Sequence, residues 1–264
     1  METLISKDGT RIAYDKTGRG PALVLVDGAF CYREYGTTPT LAPLLSDYFT
    51  VFSYDRRGRG YSTDTKPHSI ECEIEDLKAV VEATKETPFV AGISSGAALL
   101  LQSVNNGLKV KKMALFEPPY VVVNNDDPSP PKDAKNVLET LTNKGQRSEA
   151  VMYFMSSVMG MSILFITFIK LFGKTMWKKN ESVADTLPYD VAIMGNYSVP
   201  KEITSRINIP TMVIGGEKSP GNLLNAVKAV SQNIPKSELS ILKGQSHNVS
   251  MKVLAPVLID FFRK

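Results

Sequence analysis

The chain has 264 residues, of which 43% are hydrophobic and 22% charged, as in a globular protein with a sizeable core. Its formal charge of +4 is too small to indicate nucleic-acid binding, and Cys31 and Cys72 have no metal-ligand spacing. The longest apolar stretch, 157–169, is shorter than the roughly 20 residues that span a bilayer. We therefore expect a reduced, cytoplasmic protein with no signal peptide, metal, cofactor or membrane partner.

Strand and helix patterns alternate along the first half of the chain. The turn KDGT separates two alternating segments, METLIS and RIAYDK, which is typical of a β-hairpin. Short apolar runs bounded by turn residues are typical of buried strands. Such strands are predicted at 22–28, 49–55, 88–92 and 110–117. Helical spacing predicts a helix at 69–86 and another over SGAALLLQSV.

This alternation stops after residue 117 and resumes at TMVIGG (211–216), the next predicted strand. The interval begins with a Pro/Asp/Asn-rich linker, VNNDDPSPPKD, and continues with helical segments rich in Met and Phe. We therefore expect a doubly wound, mostly parallel α/β sheet that carries a helical cap insertion. The predicted core comprises 1–120 and 207–264, and the predicted cap comprises 121–206.

The cap sequence also suggests a substrate pocket. Its apolar stretch at 157–169 is expected to form a buried or pocket-lining helix, and its Met and Phe side chains would suit an adaptable apolar pocket. The alternative is that most of these side chains pack the helices of the cap against one another. The pocket candidates are Asp27, Phe30, Phe154 and Trp177.

In sheets of this type the functional groups gather at the carboxyl ends of the strands. Residues 92–96, GISSG, fit the pattern G-x-S-x-G between a predicted strand and a predicted helix. A sharp turn there would expose the hydroxyl of Ser94, and the helix behind it would offer free backbone N–H groups to an oxyanion. Ser94 is therefore a candidate nucleophile, the alternative being a tight turn without chemistry.

Two other strand ends carry groups that would complement Ser94. Gly28 follows the first buried strand, so that the N–H of Gly28 or Ala29 would complete an oxyanion hole with the N–H of Ser95. His247 follows the last predicted strand, SELSILKG (237–244), and is a candidate base, because histidine titrates near neutrality. The alternative is a loop histidine without chemistry. The second histidine, His68, is expected to face solvent.

These motifs resemble those of the α/β-hydrolase superfamily over nearly the whole chain, and those of small bacterial hydrolases most of all. SYDRRGRGYS is similar to the D-x-R-G-x-G-x-S turn, GISSG to the nucleophile elbow, FEPP to the strand end before the cap, and GQSHN to the histidine loop. The resemblance implies the α/β-hydrolase fold and a triad that contains Ser94 and His247.

The triad acid is the open question, because its usual position near residue 219 holds a serine, Ser219. Glu117 ends the preceding predicted strand, and some superfamily members, among them fungal zearalenone lactonases, carry their acid there. Those lactonases also resemble this chain in having Asp-Gly, here Asp27-Gly28, in place of His-Gly. Glu117 is therefore the preferred acid. The alternatives are Glu217, which strand alternation aims elsewhere, or a purely structural Glu117.

A serine nucleophile argues against the epoxide hydrolases and haloalkane dehalogenases of the superfamily, which use aspartate. It predicts hydrolysis of a small, fairly apolar ester or lactone through an acyl-enzyme. The alternatives are a cofactor-free C–C hydrolase or perhydrolase on the same triad, or a ligand-binding sensor with a weak or vestigial triad. The expected partner is a small-molecule substrate, and the sequence leaves open whether the chain forms a homodimer.

Overall fold

A computed structural model describes residues 1–122 and 129–264 of the chain. Its strands are β1 (Glu2–Ile5), β2 (Arg11–Gly18), β3 (Ala22–Val26), β4 (Thr50–Tyr54), β5 (Phe89–Ile93), β6 (Met113–Phe116), β7 (Thr211–Gly216) and β8 (Ser237–Leu242). They form one sheet in the order β1-β2-β4-β3-β5-β6-β7-β8. β1 and β2 run antiparallel to their neighbours, and every later pairing in the sheet is parallel.

Helices cover both faces of this sheet. The α-helices of the described residues are α1 (Thr38–Leu45), α2 (Ile70–Ala83), α3 (Ser95–Asn105), α4 (Ala134–Asn143), α5 (Arg147–Tyr153), α6 (Ile163–Phe172), α7 (Lys174–Ser182), α8 (Leu187–Met194), α9 (Lys201–Thr204), α10 (Gly221–Asn233) and α11 (Met251–Arg263). One core cluster joins the sheet to α2, α3 and α10, and a second joins it to α1 and α11. The predicted doubly wound, mostly parallel α/β architecture is confirmed.

The central strands are buried because both faces of the sheet are covered. Every residue of β3, β6 and β7 is buried, which explains why these strands read as continuous apolar runs in the sequence. Parallel strands β3, β5, β6 and β7 end at the same edge of the sheet, so the residues that follow each of them are brought together.

The segment between β6 and β7 is helical in the part that the structure describes, residues 129–206. Helices α4 to α8, with a π-helical turn at Phe154–Val158, share a separate apolar core, whereas Ile203 of α9 packs against the core of the sheet. The division into a core and a cap stays a prediction. The start of the predicted linker, 123–128, lies outside the described residues.

The prediction of a buried or pocket-lining helix at 157–169 is wrong. Helical structure is interrupted at Gly160, which has a φ of +70°, and α6 begins only at Ile163. Most side chains of α6 are exposed, because only one side of this short helix meets the apolar core that the neighbouring helices share. No helix among the described residues has the length and apolarity that crossing a membrane requires.

Candidate active site

Ser94 lies in a sharp turn between β5 and α3. Its φ of +57° falls in a region that non-glycine residues rarely adopt, and holding it there costs about 1–3 kcal/mol. Small neighbours make the turn feasible: a Cβ on Gly92 would lie 2.7 Å from Ala97 Cα, and one on Gly96 would collide with the carbonyl oxygen of Val26. The turn leaves the Ser94 side chain half-buried at the edge where the central strands end.

The loop after β3 passes directly beside this serine. A Cβ on Gly28 would lie 2.9 Å from Ser94 Cβ, so only glycine permits the approach. Within the described residues, the N–H groups of Gly28, Ala29 and Ser95 donate no hydrogen bond. Ser95 opens α3, where the first N–H groups lack helical acceptors. Backbone donors are therefore available around Ser94.

Glu117 and His247 are in direct contact. Glu117 Oε2 lies 2.7 Å from His247 Nδ1, although 130 residues separate the two in sequence. Glu117 is fully buried and has a φ of +43°, while the His247 side chain remains 34% exposed. Non-glycine residues at positive φ that flank one site suggest a function that requires the strain. Ser94 and Glu117 are both such residues, and their strands β5 and β6 are neighbours.

Ser219, at the usual acid position, and Glu217, the alternative acid, make different hydrogen bonds. The hydroxyl of Ser219 donates to Glu117 Oε1 at 2.5 Å, and the N–H of Gly216 donates to the same oxygen at 2.6 Å. The carboxylate of Glu217 instead accepts from the N–H of Gly244 at 2.8 Å. The end of β7 therefore supplies hydrogen-bond donors to a carboxylate that comes from β6.

Asp27, the predicted pocket residue at the end of β3, holds the loop to α1. Its carboxylate accepts hydrogen bonds from the hydroxyls of Thr37 and Thr38 and, at 3.1 Å, from the N–H of Thr38. Burial raises the pKa of Asp27, although these hydrogen bonds oppose the shift. The side chain thus stabilises the start of α1 beside the turn at Gly28.

The three aromatic pocket candidates are buried in the core of the helical segment. Phe30 contacts Phe154 edge-on, with 5.3 Å between the ring centroids. The indole N–H of Trp177 donates to Ser148 at 3.0 Å and to Glu181 at 2.8 Å. Phe30 joins the loop after β3 to this core, whereas Trp177 packs the helices together, as the alternative interpretation of these side chains held.

Asp190, which was not predicted as a site residue, connects α8 to the turn that holds Ser94. Its fully buried carboxylate accepts from Ser95 Oγ at 2.7 Å, from Arg56 at 2.7 Å and from Arg59 at 2.6 Å. Arg59 also donates to the carbonyl of Gly28 at 2.7 Å. A signal was present, because an aspartate within the apolar segment TLPYDVAIMG needs a buried partner.

The same ionic cluster reaches His68. Arg56 makes two hydrogen bonds to Glu73, at 2.7 and 2.9 Å, and His68 Nε2 lies 3.3 Å from that carboxylate. Burial alone would raise the pKa of Glu73, but Arg56 and His68 hold it well below its usual range. The expectation that His68 faces solvent is wrong: its ring stacks on Tyr189 with 3.5 Å between centroids.

Replacing Asp190 should destabilise the fold strongly. Arg56, Arg59, Glu73 and Asp190 together balance two positive and two negative buried charges. Asp190→Asn would leave one buried positive charge uncompensated, so we expect the free energy of unfolding to fall by about 3–5 kcal/mol. Urea unfolding followed by circular dichroism measures this loss.

The matched control is Asp185→Asn in the preceding turn. Asp185 pairs with Arg147 at 2.6 Å, but both side chains are about half exposed. Exposed pairs contribute little, so we expect a change of at most about 1 kcal/mol. Similar losses in the two variants would contradict the view that Asp190 stabilises the fold by neutralising buried charge.

Comparisons with known proteins agree with this architecture. The sequence model of the "Alpha/beta hydrolase family" matches residues 23–232. An alpha/beta hydrolase from Sphaerobacter thermophilus DSM 20745 is 41% identical, and the match covers 99% of this chain and 100% of that one, with a TM-score of 0.92.

More distant structures share the fold. An esterase from Rhodococcus sp. ECU1013 is 19% identical over 100% of this chain and 98% of its own, with a TM-score of 0.72. The enol-lactonase from Burkholderia xenovorans LB400 is 18% identical over 100% of both chains, with a TM-score of 0.73. At such identities the likeness is one of fold.

Proposed function

Because this chain belongs to the alpha/beta hydrolase family, we propose that it is a serine hydrolase that cleaves a small, fairly apolar ester or lactone through an acyl-enzyme. The observation that carries the proposal is the 2.7 Å contact between Glu117 and His247 at the edge of the sheet where the half-buried Ser94 lies. Structures of an esterase and an enol-lactonase with the same fold make esters and lactones the first substrates to test.

In the proposed acylation step, Ser94 Oγ attacks the carbonyl carbon of the substrate while His247 Nε2 accepts the hydroxyl proton. The oxyanion that forms is bound by the N–H of Ser95 together with that of Ala29 or Gly28. When the intermediate collapses, the C–O bond to the alcohol breaks and His247 returns the proton to the leaving oxygen.

Deacylation repeats these steps with water. His247 takes a proton from a water molecule, the resulting oxygen attacks the acyl carbon, and Ser94 leaves with the proton that His247 donates. Glu117 keeps the proton of the imidazole on Nδ1, which leaves Nε2 free to act as the base, and stabilises the imidazolium. The strained φ of Glu117 and its donors at Gly216 and Ser219 hold the carboxylate in this orientation.

A fluorophosphonate probe followed by peptide mass spectrometry tests the nucleophile directly. We expect stoichiometric labelling of Ser94 and none of Ser95, because the hydroxyl of Ser95 is occupied by Asp190. Hydrolysis of short p-nitrophenyl esters and of aromatic and aliphatic lactones then defines the substrate class. Labelling of Ser94 without turnover of any ester or lactone would reject the proposed substrate class and favour one of the two alternative reactions. Cleavage of a vinylogous diketone would detect C–C hydrolysis, and a peroxide assay would detect perhydrolysis.

The sensor alternative makes the opposite prediction. A binding module with a weak triad would show slow or absent labelling together with tight, stoichiometric binding of a ligand. Absence of labelling under conditions in which a reference serine esterase is fully labelled would therefore contradict the proposed function.

A further inference from the structure

Helix α6 presents an apolar face that nothing in the described structure covers. Only Ile166 of this helix is buried. At about 100° per residue, Leu164, Phe168, Leu171 and Phe172 fall on the side of the helix opposite Ile166. We call these four residues, together with the adjacent Phe165, the α6 face. Its five side chains are between 54% and 80% exposed.

This face is large for a protein surface. Five Leu and Phe side chains at such exposures present on the order of 600 Å² of apolar area, which reaches the top of the range for the largest patch on a typical monomer. The rings of Phe168 and Phe172 lie 4.8 Å apart and make the patch continuous. The helical segment has a separate apolar core, so these side chains do not serve its packing.

The charge beside the α6 face is mainly positive, although Glu181 on α7 accepts a hydrogen bond from Trp177. Residues 150–180 contain four lysines, Lys170, Lys174, Lys178 and Lys179, and no aspartate or glutamate. Lys174 and Lys178 on the adjoining helix α7 are exposed. Lys170 belongs to α6 itself, and its amine lies 5.4 Å from the ring centre of Trp177 on α7. An apolar surface flanked mainly by lysines complements a surface that is apolar inside and anionic outside.

We propose that the α6 face binds the surface of a bilayer that contains anionic lipids. The Phe and Leu side chains would enter the boundary between headgroups and acyl chains, and Lys174 and Lys178 would contact lipid phosphates. A second copy of this chain is a poorer occupant, because a two-fold contact across the patch would bring Lys170, Lys174 and Lys178 of the two copies together. Glu181, the acidic residue of α7, is already bonded to Trp177.

This inference differs from the expectation of no membrane partner, which rested on the length needed to span a bilayer. A helix of ten residues is too short to cross but long enough to lie in the interface. The proposal is independent of the proposed function, since membrane binding can be measured whether or not the protein turns over a substrate.

Vesicle flotation with the full chain tests the proposal. We expect the protein to float with vesicles of phosphatidylcholine containing about a third phosphatidylserine, and to bind them roughly tenfold or more tightly than pure phosphatidylcholine. Binding should weaken as salt is raised, because exposed charges are screened. Failure to bind the anionic vesicles at low salt would overturn the proposal.

Two variants separate the contributions. L164S/F168S should reduce binding by about tenfold or more, because two inserting side chains are lost. K174E/K178E should reduce binding to anionic vesicles by a similar factor and leave the weak binding to neutral vesicles unchanged. All four positions are exposed, so circular dichroism and the unfolding midpoint should stay at wild-type values.

The matched control is I5S, which alters a side chain that is 65% exposed on β1, outside the α6 face. It should bind vesicles as the wild type does. Analytical ultracentrifugation of the same proteins tests whether a second copy of the chain covers the α6 face instead. A wild-type dimer that L164S/F168S converts to a monomer, without vesicle binding by either protein, would show that the face joins two copies. This result would overturn the lipid proposal.

Discussion

Ser94→Ala should abolish nearly all hydrolysis, lowering kcat/KM by about four to six orders of magnitude. The substitution removes the only atom that can form the acyl-enzyme, and the oxyanion donors and His247 cannot replace it. Ten-thousand-fold corresponds to about 5.5 kcal/mol of transition-state stabilisation. Steady-state kinetics on the best ester or lactone from the substrate panel measures the loss.

Ser95→Ala is the matched control, since it also replaces an elbow serine by alanine. Ser95 contributes its backbone N–H to the proposed oxyanion hole, and this N–H survives the substitution. The lost hydroxyl donates only to Asp190, so we expect a decrease in kcat/KM of about tenfold and continued fluorophosphonate labelling at Ser94. If Ser94→Ala retains wild-type hydrolysis, or if Ser95→Ala is the more damaging change, Ser94 is not the nucleophile.

A second consequence of removing the hydroxyl concerns stability. The backbone at Ser94 keeps its φ of +57° whatever the side chain, because it is imposed by the turn between β5 and α3. Ser94→Ala should therefore unfold at nearly the wild-type urea concentration, and loss of activity would not reflect loss of folding.

The candidate site was largely predictable from the sequence because its groups follow buried strands. Strands β3, β5 and β6 are recognisable as short apolar runs, and parallel strands that end at one edge bring Gly28, Ser94 and Glu117 together. A local pattern and one topological rule are enough to place a residue that immediately follows a buried strand of this sheet.

Other parts of the molecule depend on contacts that no local pattern encodes. Asp190 contacts Ser95 across 95 residues. The ring of His68, in the loop before α2, is covered by stacking on Tyr189 of α8. Apolar spacing also cannot distinguish a helix packed on both sides from one packed on a single side. For that reason α6 was expected to be buried, although most of its side chains are exposed.

Glu117→Gln should reduce kcat by about three to four orders of magnitude. Glutamine is close in shape to glutamate, so packing is kept, but it has no charge to stabilise the imidazolium and can present its amide N–H₂ to His247 Nδ1, which selects the wrong tautomer. Because Glu117 Oε2 is the group 2.7 Å from Nδ1, the effect should appear mainly in kcat rather than in KM.

Ser219→Ala is the informative comparison, since it alters the position where most members of the superfamily carry the acid. The substitution removes one of the donors to Glu117 Oε1, while the N–H of Gly216 remains at 2.6 Å. Loss of one hydrogen bond to a charged group should lower kcat by about tenfold. A greater loss for Ser219→Ala than for Glu117→Gln would contradict the assignment of Glu117 as the acid.

Placing a carboxylate at position 219, after β7, would test whether it can replace that of Glu117. Ser219 Oγ lies 2.5 Å from Glu117 Oε1, whose partner oxygen contacts His247, so an aspartate at position 219 brings its charge close to the same imidazole. In the Glu117→Gln background, Ser219→Asp should recover at least about tenfold of the lost kcat. In the wild-type background the same change should lower activity, because two buried carboxylates would then compete for one site. Equal activity of Glu117→Gln with and without Ser219→Asp would show that the imidazole depends on the orientation that Glu117 alone provides, and not simply on a negative charge at this edge of the sheet.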